Sequence, residues 1–363
     1  MIIKNSLINE CLVILMALIL ILSQTIFHAT QALLELALIL TLSVLLLKQR
    51  LLIWEICLIL FVLFTQTASI IINDMSLSAF MLNAKVTGLA ILSLLYFKRN
   101  ATVSKAMKVF FIICVSLVLI QYFITSKFPV NIPESLMKNL SIYNHWKPLG
   151  LFLDYHTSAY FLAVYFIGIS LTRKLFFIDL IIIWLMGVRT SFLSLIGQKV
   201  FNIAGKRFYF FKKASVQITI VTVGVLFLLT VFLPLFFSFM DMLDFGFGRG
   251  DSVKIMAASI INPNQYLDAV YFFPQDYFQH HGSFLYDVGT DKNRSSELGL
   301  VKNMLMFGIP VTLLFFYKML KFTPYFRVFI LLTSLHYANI LDPLIIYLVF
   351  MFENKLIQLK ENS

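Results

Sequence analysis

The amino-acid sequence predicts an all-α, polytopic integral membrane protein with about 12 transmembrane helices and a large outer loop. Of its 363 residues, 60% are hydrophobic and 13% are charged, and the mean hydropathy is +0.88. Soluble domains are only about half apolar. Leu, Ile and Phe occur in blocks of about 20 residues, the length at which a helix crosses a hydrocarbon core of about 30 Å. Basic residues lie between these blocks.

The apolar blocks define the predicted helices in chain order. We expect helices because their backbone polar groups are satisfied within the segment, as lipid requires. Two pairs of short blocks, 175–188 with 190–204 and 326–339 with 342–353, can each also form one long or broken helix. The ranges are 8–27, 31–47, 51–71, 76–97, 107–125, 155–172, 175–188, 190–204, 216–239, 298–317, 326–339 and 342–353.

The basic residues predict the sides of the membrane. Lys and Arg concentrate in cytoplasmic loops, and a cytoplasmic N-terminus places most of them inside. An even number of helices with both termini in the cytoplasm follows. The inside set is Lys4, Lys48, Arg50, Lys98, Arg99, Lys105, Lys108, Arg173, Lys174, Lys199, Lys206, Arg207, Lys212, Lys213, Lys318, Lys321, Arg327, Lys355 and Lys360.

The predicted organisation is a single membrane domain over 1–363 with two outer segments. The smaller segment, 126–154, contains Pro129 and Pro133. The larger segment, 240–297, is too long for a simple turn and holds much of the polar chemistry of the chain. We expect it to form a small cap over the helices.

The remaining basic residues are candidates for binding an anion. Each opposes the topological bias or lies near the membrane face, where a charge is costly. Several of them are expected at outer helix ends, where they can converge on one ligand. They are Lys85, Lys127, Lys138, Lys147, Arg189, Arg249, Lys254, Lys292, Arg294 and Lys302.

Two arginines have a distinctive setting among these candidates. Arg189 lies between two short apolar blocks and either extends to the interface as an isolated cation or clamps a phosphate. Arg249 lies in Phe245–Asp251, a stretch with three glycines. Glycines there either break the chain or let backbone amides approach a charged ligand. We favour ligand binding slightly for Arg249.

Acidic and histidine side chains supply the candidate general bases. Asp154 and His156 lie where the chain re-enters the predicted helix 155–172, so they either cap that helix or take a proton from a substrate. Glu297 lies at the start of the predicted tenth helix. We therefore favour a role in stabilising the helix N-terminus by its charge over a catalytic role. Asp276, His280 and His281 have no further ligand beside them at a spacing suitable for a metal site. We therefore predict neither a metal nor a cofactor, and the scattered basic clusters do not predict nucleic-acid binding.

Four stretches together resemble the O-antigen polymerase and ligase family, bacterial membrane enzymes that assemble surface polysaccharides. Lys147–His156 resembles the family's basic-x-x-Gly-Leu-Phe element, and Gly187–Ser191 is similar to its Ser-Arg-Thr helix junction. Arg249 opens the long outer loop as an Arg commonly does there, and Ser296–Gly308 resembles the element that closes it. The resemblance covers about residues 145–310 and the overall helix plan.

The chain departs from the family pattern at two positions. Many ligases carry a His where the loop closes, whereas Ser296 and Glu297 stand there in this chain. The first basic position is Lys147 rather than Arg. The missing His weakens the ligase interpretation and leaves the general base unassigned.

The resemblance implies a polymerase of the bacterial inner membrane. Its substrate would be an oligosaccharide repeat unit on polyprenyl pyrophosphate in the outer leaflet, and its further partners membrane lipids and a chain-length regulator protein. Arg189 and Arg249, assisted by Lys147, Lys254 and Arg294, would hold the pyrophosphate. Asp154, His156 or Glu297 would deprotonate the acceptor hydroxyl. The alternatives are a ligase that moves finished chains to another lipid, and a transporter or flippase, for which internal repeats and midplane charges are expected.

Overall fold

A computed structural model describes residues 2–23, 27–125, 148–172, 176–227, 272–274, 303–304, 306–334 and 341–361. Within these ranges the chain is helical and contains no strand, which confirms the all-α class there. A 3-10 turn, Tyr209–Lys212, follows the eighth helix. The α-helices are α1 Ile2–Ser23, α2 His28–Leu47, α3 Ile53–Ile72, α4 Leu77–Asn100, α5 Lys105–Thr125, α6 Tyr155–Thr172, α7 Phe176–Leu185, α8 Arg189–Arg207, α9 Ala214–Phe227, α10 Ile309–Phe322, α11 Arg327–Ser334 and α12 Pro343–Glu361.

The predicted helix 298–317 is wrong at Gly308. Gly308 has φ +77°, in the left-handed region, so a right-handed helix does not pass through it. α10 begins immediately afterwards with Pro310 in its first turn and continues to Phe322. Residues 298–302 lie outside the described ranges.

Five helices are long and apolar enough to cross a membrane, α1 to α5, within the described part of the chain. The exposed side of α2 shows why water does not suit this surface. Leu33, Leu36, Leu40, Val44 and Leu47 recur every three or four residues and are all exposed. Such an apolar face fits lipid, as the composition predicted. The finer prediction, about 12 crossings, stays a prediction.

α6 lies at the centre of the helix packing. All residues from Ala159 to Ile167 are buried, so this helix is apolar on every side. Its Tyr165 ring packs edge-on against Phe352 of α12, at 5.3 Å between centroids. α12 in turn packs along α4, where the rings of Phe97 and Tyr347 meet at 5.0 Å.

One end of the helix bundle gathers many basic residues, and we call it the basic end. The α4–α5 connection lies there, beside the first turns of α1 and the second half of α12. Asn9 of α1 donates to the Asn100 carbonyl at 2.6 Å, and Asn354 of α12 donates to the Ala101 carbonyl at 3.0 Å. The charge pattern of the sequence assigns all of the helix ends that meet here to the same side of the membrane. Which side faces the cytoplasm stays a prediction.

α7 and α8 are separate antiparallel helices rather than one long helix. The chain reverses at Gly187, which has φ +66°. Asp179 of α7 and Lys199 of α8 form a buried ion pair across the two helices. The far side of α8 contacts α11, where the Phe329 amide donates to Gln198 Oε1 at 2.9 Å.

Candidate functional site

The segment 148–154 positions the start of α6. The Gly150 amide donates to Gln121 Oε1 of α5 at 2.9 Å, and the Ser158 hydroxyl donates to the Leu149 carbonyl at 2.7 Å. Gly150 has φ +68°, and a Cβ atom there would lie 2.5 Å from Ser158 Oγ. Glycine is therefore required in this part of the predicted basic-x-x-Gly-Leu-Phe element. Residues 126–147 of the smaller outer segment lie outside the described ranges.

Asp154 caps the N-terminus of α6. Its carboxylate accepts hydrogen bonds from the Thr157 amide at 2.8 Å and the Thr157 hydroxyl at 2.6 Å, with a longer one from the His156 amide at 3.3 Å. This is the structural role expected of an Asp at this position. His156 is half-buried, and its ring lies against that of Tyr155 with 4.1 Å between centroids. The catalytic role predicted for both residues stays a prediction.

Arg189 is the first residue of α8, and this helix begins beside α6. Thr190, the next residue, lies beside the Tyr160 hydroxyl of α6. Val188 precedes the helix and provides no side-chain cap for its first amides. The start of α8 is therefore brought next to the start of α6. The described part of Arg189 is its backbone.

Asp342 is a carboxylate that the sequence reasoning missed. It lies immediately before α12, outside the five candidate membrane spans, and accepts a hydrogen bond from the Leu344 amide at 2.9 Å. Burial, and to a smaller extent the charge of Asp154, raise the pKa of Asp342 to about 7. An Asp followed by Pro343 is a recognisable helix start. That signal is visible in the sequence, although the apolar block predicts a helix that begins at 342.

The starts of α6, α8 and α12 thus converge. We call the group formed by Asp154, His156, Tyr160, Thr190 and Asp342 the three-helix site. It combines two carboxylates with the positive end of α8, whose N-cap residue, Val188, provides no side-chain cap. The site therefore offers helix amides, which can bind an anion, and carboxylates, which can accept a proton.

The other predicted site residues lie elsewhere or outside the described ranges. Lys85, one of the candidate cations, forms an ion pair with Glu35 of α2 at 2.5 Å. Its charge therefore has a structural partner. Lys147, Arg249, Lys254, Arg294 and Glu297 lie outside the described residues, so their predicted roles stay predictions.

A short piece of the larger outer segment contacts the helices. Asn73, at the end of α3, donates through its side chain to the Pro274 carbonyl at 2.8 Å. A Cβ atom at Gly308 would lie 2.4 Å from the Phe272 carbonyl oxygen. Residues 272–274 are therefore seated between the end of α3 and the start of α10.

Metal ligands are not grouped in the part of the chain that the structure describes. No set of three or more His, Cys, Asp or Glu side chains there lies close enough together to hold a metal ion. Comparison of the chain with known protein families, characterised proteins and solved structures found no match. The family resemblance therefore stays a prediction.

Proposed function

We propose that this protein is a polysaccharide polymerase of the bacterial inner membrane. It would join polyprenyl-pyrophosphate-linked oligosaccharide repeat units on the periplasmic face by metal-independent glycosyl transfer. The observation that carries the proposal is that the carboxylates of Asp154 and Asp342 lie close enough to interact, and that α8, whose first residue is Arg189, begins beside α6. Glycosyl transfer from a pyrophosphate needs both an anion site and a proton acceptor.

The start of α8 serves the leaving group in this proposal. Negative charge develops on the pyrophosphate as its bond to the sugar breaks, and amide dipoles and guanidinium groups stabilise it without a metal. Arg189 is the cation at this position. Arg249, Lys147, Lys254 and Arg294 are proposed to complete the anion site.

Asp342 serves as the general base. A carboxyl group with a pKa of about 7 is a stronger proton acceptor than an ordinary Asp and still ionises near neutrality. The acceptor hydroxyl loses its proton to Asp342 as its oxygen forms the bond to the anomeric carbon. The bond from that carbon to the pyrophosphate oxygen breaks, and polyprenyl pyrophosphate leaves with the electron pair. Asp154 acts on Asp342 through its charge, while His156 and Glu297 stay candidates for proton transfer.

The proposal includes a topology and partners. About 12 helices cross the membrane with both termini in the cytoplasm, which places the three-helix site toward the outer side. Membrane lipids surround the helices, and a chain-length regulator protein is the expected protein partner. No nucleic acid takes part.

The test replaces Asp342 with Asn in cells that display the polysaccharide. We expect chain length to collapse while single repeat units are still displayed, because the base is lost but display is not. The matched control is Asp74→Asn, which removes the same charge from an exposed residue with φ +45°. Unchanged long chains in the Asp342 variant would refute the assignment. Normal polymer retained on the carrier lipid would indicate a ligase instead.

A further inference from the structure

A second charged site lies at the basic end, remote from the three-helix site. It forms where the start of α3 meets the ends of α4 and α10. We call Trp54, Glu55, Lys98, Arg99 and Lys318 the Trp54 cluster. Nothing in the proposed polymerase reaction uses it.

Glu55 is the carboxylate of the cluster, and it is already fully engaged. Its buried side chain accepts from the Leu52 amide and from Arg99 Nη2, each at 2.8 Å. It also forms an ion pair with Lys98. Its negative charge therefore balances at most one of the neighbouring cations.

Lys318 brings a further positive charge to the same place. Its Nζ lies 3.9 Å from the centroid of the Trp54 ring, and Lys98 Nζ lies 4.1 Å from the same centroid. Within the described residues, Lys318 forms no ion pair with a carboxylate. Three cations thus share one carboxylate, which leaves an excess of positive charge fixed around a single indole ring.

The surroundings of this charge are apolar and exposed. Ile53, beside Trp54, is 82% exposed, and Leu313 and Tyr317 on α10 are also exposed. Trp and Lys side chains at the end of an apolar helix are typical of the membrane–water interface. A ligand here meets fixed cations at one end and apolar side chains at the other, which fits an amphiphile better than a free ion.

We propose that the Trp54 cluster binds the phosphodiester headgroup of an anionic glycerophospholipid. The phosphate lies against Lys318 and Arg99, and the acyl chains run along the exposed apolar sides of α3 and α10. Lys98 and Glu55 hold the ring and the guanidinium group in position. This site is independent of the proposed polymerase activity.

The test titrates the full-length protein in uncharged detergent with phosphatidylglycerol and follows the thermal unfolding midpoint. We expect the lipid to raise the midpoint, and Lys318→Gln to weaken its apparent affinity about fivefold, the effect of about one basic residue at a lipid surface. Lys318→Arg keeps the charge and should retain binding. Lys321→Gln is the matched control, because it removes an exposed lysine of the same helix that does not belong to the Trp54 cluster, and solvent screening should keep its effect within about twofold.

Three results would overturn this inference. An equal response to phosphatidylcholine would show that headgroup charge is not recognised. An equal loss of apparent lipid affinity in the Lys318 and Lys321 variants would show a diffuse effect of surface charge. Inorganic phosphate that raises the midpoint as much as the lipid would assign the site to a free anion.

Discussion

Asp154 and Asp342 cap two helices from distant parts of the chain, and the charge of Asp154 helps to raise the pKa of Asp342. Helix capping alone explains each residue separately. Burial, with a smaller contribution from the charge of Asp154, brings the pKa of Asp342 to about 7, which is the range expected of a general base.

The pH dependence of polymerisation should reflect the ionisation of the Asp342 carboxyl group. Its carboxylate must be ionised to accept a proton, so activity should rise with pH through about 7. Initial rates of polymer formation between pH 5.5 and 8.5 measure this rise in activity. The rise should be absent from the Asp342→Asn variant.

The same shift predicts the opposite trend for stability. The folded pKa of Asp342 lies above that of an unfolded Asp, about 3.9, so the folded state holds more protons between about pH 4 and pH 7. The contribution of this group to the free energy of unfolding is therefore present at low pH and is lost as pH rises through about 7. Thermal unfolding of the wild type and of Asp342→Asn across this range compares the pH dependence of stability in the two proteins. A parallel pH dependence in both proteins would contradict the assignment.

Asp154→Asn should retain the helix cap and change the chemistry. Asn caps a helix about as well as Asp, whereas Ala costs about 1 kcal/mol. We expect Asp154→Asn to unfold near the wild-type temperature. The rise in activity that follows the ionisation of Asp342 should move to lower pH, because a nearby negative charge is removed. Asp154→Ala should lower the midpoint of unfolding as well. An unchanged pH profile in the Asn variant would leave Asp154 a structural cap.

Gly308→Ala should disturb the start of α10. Alanine at φ +77° costs about 1–2 kcal/mol, and its Cβ would meet the Phe272 carbonyl oxygen at 2.4 Å. We expect a lower unfolding midpoint and faster proteolysis near residues 272–274. Gly88→Ala is the control, because a Cβ there meets nothing within 4 Å. Equal behaviour of the two variants would contradict the seating of this segment.

The ion pair between Asp179 and Lys199 should stabilise the α7–α8 arrangement. Lys199→Met leaves the Asp179 carboxylate buried without its partner, which typically costs about 3–5 kcal/mol. The double variant Asp179→Asn with Lys199→Met should recover much of that loss. Chemical denaturation of the wild type, both single variants and the double variant provides a thermodynamic cycle. Additive effects of the two substitutions would show that the pair is not coupled.

The helices could be predicted from sequence because each apolar block is a local signal. The range predicted for α6, 155–172, matches the observed helix, Tyr155–Thr172. α12 extends to Glu361, beyond the predicted end at 353, because its last turns are polar and hydropathy does not register them. Gly308 interrupts the predicted helix because its backbone has a positive φ. Hydropathy does not show this interruption, since the residues on both sides are apolar.

The candidate site could be predicted only in part. Asp154 and His156 follow a Pro and a Gly at a chain re-entry, and such polar groups are visible in the sequence. Asp342 is a single acid in an apolar region, and its relation to Asp154 depends on the packing of α6 and α12. No local pattern encodes a contact between segments so far apart in the chain.

The most direct test of the central claim is polymerisation by the purified protein. Wild-type protein and Arg189→Ala are reconstituted in liposomes with polyprenyl-pyrophosphate-linked repeat units, and polymer length is measured without added metal. We predict that the wild type forms long chains and that the variant leaves single repeat units, because the leaving pyrophosphate loses its cation at the start of α8. Long chains of equal length from both proteins would contradict the proposed site, and no polymer from the wild type would contradict the proposed activity.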